Sequence, residues 1–123
     1  DPLALADPDQ LTQALDNLVR NALHYTPEGG EVNVSTGTAE RKGRLWATVT
    51  VADTGMGIPQ EELPHIFERF FRGREPQSQQ ISGSGLGLSI VHDIVERHGG
   101  WVTVDSKIGV GSTFTIWLPL LKE

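Results

Sequence analysis

Apolar residues are not spread evenly along this chain; they recur at two distinct spacings. Leu11, Leu15, Leu18 and Ala22 repeat at helical intervals and define one buried face. Asp7-Pro8-Asp9-Gln10 precedes them as a start signal: Asp7 suits the N-cap, Pro8 the first helical position, and Gln10 the far corner of a capping box. Thr26-Pro27-Glu28-Gly29-Gly30 stops this helix at about residue 25. Residues 31–36 then alternate, with Val32 and Val34 on one side, and predict a strand. After the polar hairpin Glu40-Arg41-Lys42-Gly43, a longer strand sets Leu45, Ala47, Val49 and Val51 against Trp46, Thr48 and Thr50. A short helix is predicted over 60–67 and another over 86–98, the latter carrying Ile90, Val91, Ile94 and Val95 and stopped by Gly99-Gly100. Strands at 101–105 and 113–118 close the pattern. Helix, two strands, helices, two strands is the order of a two-layer α/β (α+β) sandwich, with about three helices on one face of a mixed, mostly antiparallel sheet. Regular βαβ alternation is absent.

Composition narrows this picture. At 123 residues the chain matches one ordinary domain, 1–123, and can bury a core without staples. It has no cysteine, which excludes disulfides, thiolate metal sites and thiol nucleophiles. The net charge of −6 argues against nucleic acid or an anionic membrane as the main partner. No apolar run approaches the roughly 20 residues of a membrane span.

Fourteen glycines are many for so small a domain, and seven fall in three short segments: Gly55 and Gly57; Gly83, Gly85 and Gly87; Gly109 and Gly111. Gly83-Ser84-Gly85-Leu86-Gly87-Leu88 opens a helix, where free amides and the helix dipole favour phosphate. It is neither a Walker loop nor a dinucleotide fingerprint. Asp53, at the end of a hydrophobic strand and followed by Thr54-Gly55-Met56-Gly57-Ile58, can cap a turn or accept a hydrogen bond from the exocyclic amine of adenine; guanine offers an acceptor at that position. Asn17, Asn21 and His24 share one flank of the first helix, with Asn21 about 90° from the centre of the apolar face. Such amides can be solvated surface, or can supply an oxygen to Mg²⁺. Residues 69–85 lack periodicity and hold Arg69, Arg72 and Arg74, a long segment of the kind that is usually functional or disordered.

Taken together these motifs resemble the boxes of bacterial sensor histidine kinases. Residues 17–27 (NLVRNALHYTP) look like their N box, 53–59 (DTGMGIP) like the first glycine box, 66–72 (IFERFFR) like the F box, 83–88 (GSGLGL) like the second glycine box, and 111–114 (GSTF) like the last. The likeness covers residues 7–119 and implies a Bergerat-fold ATP-binding catalytic domain, of the superfamily shared with gyrase, the MutL repair proteins and a heat-shock chaperone. It implies that Asn21 holds Mg²⁺ bridging the ATP phosphates, supported by Asn17, and that Asp53 binds the adenine amine, helped by Thr113 through a water. Tyr25 and Ile58 would line the adenine pocket. Gly83, Gly85 and Gly87 would let residues 69–85 fold over the triphosphate as a mobile lid whose hinge Leu86 and Leu88 anchor, with Ser84 among the ATP-binding residues and Arg72 meeting phosphate. His24 departs from the family, where Lys or Arg is common.

Hydrolytic relatives carry Glu where this chain has Asn17, and an amide cannot act as that general base. The resemblance therefore implies transfer of the γ-phosphate to a histidine on a separate dimerisation and phosphotransfer domain, with a response regulator downstream. That acceptor helix is not in this sequence. A cytoplasmic, monomeric catalytic piece of a bacterial protein whose parent can be membrane-anchored is the expectation. A serine kinase or ATPase of the same superfamily, and a non-catalytic nucleotide-binding module, are the alternatives.

Overall fold

The computed structural model describes residues 7–68 and 87–120. Its elements run α1 (Pro8–Tyr25), β1 (Val32–Arg41), β2 (Arg44–Asp53), a 3-10 helix (Gln60–His65), α2 (Gly87–Arg97), β3 (Trp101–Lys107) and β4 (Gly111–Pro119). The Asp7 side chain accepts from the amides of Asp9 (2.9 Å) and Gln10 (3.2 Å), so the predicted cap forms. Pro27 forces Thr26 into extended backbone (φ −102°, ψ 118°), which ends α1 where the sequence indicates.

β1 and β2 join through Lys42 and Gly43, both at positive φ (55° and 72°), the two-residue turn whose twist matches a hairpin. Because the turn is this tight, pairing extends unbroken from Val32↔Asp53 to Arg41↔Arg44, and β1 is longer than its alternation suggested. Val34 shares a side with Val32 as expected, but on this edge strand it lies beyond the helices and is 49% exposed. α2 ends in a Schellman motif: Gly99 at φ +80°, its amide bonded to the Glu96 carbonyl and that of Gly100 to Val95. The helix predicted over 60–67 is shorter, a 3-10 turn with Pro64 inside it. Phe67 beyond it packs edge-on against Phe114.

The sheet order is β1-β2-β4-β3, and every pairing among the described strands is antiparallel, with no parallel member. α1 and α2 cover one face. Leu18 from α1, Val91, Ile94 and Val95 from α2 and Val51 from β2 form the fully buried centre, joined by Phe114, Ile116 and Leu118 of β4. The other face carries Thr48, Thr50, Thr103 and Thr115, and gathers all three tryptophans at one end. Trp101 stacks on Trp117 (5.3 Å) and meets Trp46 edge-on (4.4 Å). Among the described residues no helix is long and apolar enough to cross a membrane.

Candidate functional site

β2 delivers Asp53 to the core-facing side at the end of the sheet, where only 8% of the residue remains exposed. Its Oδ1 accepts the Gly55 amide at 2.8 Å, and the Ser112 amide also bonds the carboxylate. Burial pushes this carboxyl above its ordinary value of 3.8, and the two amides oppose the shift without cancelling it. An acid held so close to apolar surroundings, yet fixed in orientation, is a ready acceptor for a ligand's N–H.

The loop after Asp53 is wedged between the end of α1 and the β3–β4 turn. Met56 donates its amide to the Tyr25 carbonyl (3.3 Å) and accepts the Gly109 amide (2.9 Å). A Cβ on Gly55 would fall on the Tyr25 carbonyl, and one on Gly57, at φ +79°, on that of Lys107. Gly111, at φ +141°, presses against the Asp53 carbonyl. Three of the seven clustered glycines therefore close the loop around Asp53; their first role is backbone approach. Gly100, expected to be a plain turn residue, does similar work against the Trp117 carbonyl.

Asn17 is half-buried on α1 and its amide nitrogen reaches the Gly87 carbonyl at 3.5 Å, which brings the first helix to the start of α2. Asn21, one turn on, is half-buried and makes no hydrogen bond to a described residue. His24 is exposed, Tyr25 and Ile58 are half-buried, and Leu88 packs on the core from the first turn of α2. The Ile58 amide donates to Ser106 Oγ at 2.8 Å. Arg72, Gly83, Ser84, Gly85 and Leu86, and with them the expected lid over 69–85, lie outside the described residues.

Strand parity bears on the expectation for Thr113. Asp53 is in register with Ser112, whereas Thr113 faces Ala52. Ser112, Phe114, Ile116 and Leu118 are buried on the helix side, so Thr113 turns its side chain to the other face. Ser112 is the hydroxyl beside Asp53. It shares a hydrogen bond with Ser106 Oγ (2.8 Å), which also donates to the Gly111 carbonyl (3.1 Å). This serine pair was legible in the sequence: counting by twos from the apolar Phe114 lands on Ser112. An open cavity of about 850 Å³ runs past Asp53, Thr54, Gln60, Ser106 and Ser112 around this end of the sheet, and Thr113 borders it as well.

A four-stranded antiparallel sheet under helices, with a buried carboxylate at a strand end and an amide-bearing helix beside it, defines a Bergerat-fold nucleotide-binding domain. Comparison with known proteins agrees. The family described as histidine kinase-, DNA gyrase B-, and HSP90-like ATPase matches residues 6–122, and the chain belongs to it. The sensor histidine kinase WalK of Bacillus subtilis is 41% identical over 117 residues, covering 95% of this chain and 19% of WalK. The mycobacterial sensor histidine kinase MprB superposes with a TM-score of 0.81 at 35% identity, covering 95% of this chain and 76% of that one. The full-length ShkA structure, in complex with AMPPNP, gives 0.79 at 33% identity, covering all of this chain and 24% of ShkA. The chain thus spans about a fifth of WalK and is the ATP-binding domain of the histidine kinase type.

Proposed function

We propose that this domain binds Mg-ATP and presents the γ-phosphate to a histidine on a separate dimerisation and phosphotransfer domain of its parent protein, a bacterial two-component kinase with a response regulator downstream. One observation carries the reading: Asp53, buried and held by the Gly55 and Ser112 amides, is built to accept from an adenine amine and to reject a base with a carbonyl there. The AMPPNP bound by ShkA supports the ligand class.

The donor set suits magnesium bound through its substrate. Among the described residues no group of three His, Asp or Glu could hold an ion alone. Asn21 offers one side-chain oxygen not engaged by a described residue, and Mg²⁺ characteristically takes one or two protein oxygens with waters and phosphates. When bound, the ion neutralises triphosphate charge. Asn17 is committed differently: its amide nitrogen faces the Gly87 carbonyl, and an amide has no basic site to activate water. The site therefore hydrolyses ATP slowly and spends its binding on positioning the phosphoryl group. Ser112 replaces Thr113 in this reading as the hydroxyl that supports Asp53. Gly83, Ser84, Gly85, Leu86 and Arg72 remain the proposed phosphate-side residues, with Gly87 and Leu88 fixing the start of α2.

Calorimetry with ATP and GTP tests the site. ATP binding in the presence of Mg²⁺, weak GTP binding, and loss of ATP in Asp53→Asn and Asn21→Ala are expected; equal affinity for the two nucleotides would overturn the assignment. Labelled ATP with acceptor helices tests transfer. Labelled histidine is expected, and its absence at saturating ATP would favour a non-catalytic module.

A further inference from the structure

The nucleotide site leaves unexplained the opposite face of the sheet, where the three tryptophans carry two arginines. Arg41 lies over Trp101 and Trp117, its guanidinium carbon 5.8 and 5.4 Å from the ring centroids. Arg44 lies 4.8 Å over Trp46. The shelf beneath is fixed: Trp46 Nε1 donates to the Arg41 carbonyl (3.2 Å) and Trp117 Nε1 to Thr103 Oγ1 (3.0 Å). Arg41 and Arg44 are direct cross-strand partners, an arrangement in which like charges repel. Lys42 between them adds a third cation at the turn. No described carboxylate forms an ion pair with any of the three. Glu40 is in register with Leu45, on the other side of the strand, and Asp105 stands toward the far end of β3.

A guanidinium held over indole rings keeps N–H groups that no described residue engages, and these match a carboxylate in bidentate geometry. Contact with the rings also restricts the rotamer freedom that a surface arginine otherwise loses on binding. From this geometry we infer that the Arg41–Arg44 hairpin end, on its tryptophan shelf, is a docking surface for a carboxylate-rich polypeptide segment of a partner protein. Charge selects that occupant. Three cations in an otherwise acidic chain match a short segment with two or three carboxylates; a nucleic acid or an anionic membrane would have to lie along a molecule of net charge −6. The surface faces away from Asp53, so it engages its partner independently of nucleotide.

The tryptophans supply the readout. Titrating the protein with a short poly-glutamate peptide at low ionic strength is expected to shift or quench tryptophan emission saturably, and raising salt beyond about 0.1 M should weaken binding by about tenfold or more. Arg41→Gln with Arg44→Gln should abolish the response while ATP affinity and circular dichroism stay unchanged. Arg41→Lys with Arg44→Lys, which keeps charge but loses the fork, should retain a weakened response. The inference is overturned by three results: no saturable response in the unmodified protein, a response undiminished in the Gln pair, or capture by phosphatidylserine vesicles without capture of the peptide. Loss of ATP binding in Asp53→Asn with peptide binding intact would leave this surface standing on its own.

Discussion

The two faces of one sheet are built from the same strands, residue by alternate residue, and they carry opposite stability arguments. Toward the helices, Val51, Phe114, Ile116 and Leu118 are buried within a few percent of completely, and apolar contact holds the domain together. Away from them, threonines pair across strands and the tryptophans are capped by arginine, so the same backbone tolerates water. The exception on the helix side is Asp53. A buried charge there opposes folding, and under the proposed function that cost is accepted because the carboxylate recognises a ligand.

Adjacent residues of β4 give the sharpest way to break this contrast. Phe114→Ala opens a cavity under both helices and should destabilise by about 3–5 kcal/mol in urea titrations. Thr115→Ala, one position along and on the other face, gives up only a 3.4 Å contact with Thr50 and should cost about 1 kcal/mol or less. Equal costs would mean that the register is not the one described, since a one-residue slip exchanges the faces.

Asp53→Asn separates stability from function. Its carboxyl is raised in the folded state, so the protonated form is favoured there and the folding contribution is largest below 3.8 and declines as pH rises toward the folded value. At neutral pH the ionised group opposes folding, and Asp53→Asn should melt no lower than the unmodified chain. Its ATP affinity should fall by about 10–100-fold, the worth of a hydrogen bond to a charged group. The ratio of the two affinities should shrink as pH is lowered through the raised Asp53 value, because a protonated carboxyl no longer differs in charge from the amide. A ratio constant with pH would remove Asp53 from contact with the base.

Local signals carried most of the fold. The Asp7 cap, the Gly99 stop and the Lys42-Gly43 turn are all matters of a few neighbouring residues; the first two form as their residue types dictate, while the turn places a lysine at positive φ beside its glycine. The placement of the candidate site was legible where one motif sits on one element, as Asp53 does at the end of β2. What escaped was set by contacts distant in sequence. The gathering of Trp46, Trp101 and Trp117 depends on β4 lying between β2 and β3. The closeness of Gly55 to Tyr25 depends on how the loop meets α1. Neither is written in any window of the chain.

The smallest expected effect tests the finest of these distinctions, Ser112 against Thr113. Ser112 Oγ is 2.8 Å from Ser106 Oγ in the network that also holds the Ile58 amide, so Ser112→Ala should cost about 1 kcal/mol of stability. Because it is buried beside Asp53, the same change should also weaken ATP binding, by a few-fold, through the looser carboxylate and the missing hydroxyl. Thr113→Ala, in register with Ala52 on the outer face, should move stability by about 0.5 kcal/mol or less and leave ATP affinity where it was. Calorimetry on the two single variants, read side by side, decides which hydroxyl serves the carboxylate. A loss of affinity in Thr113→Ala with none in Ser112→Ala would return that role to Thr113, acting across the cavity that both residues border.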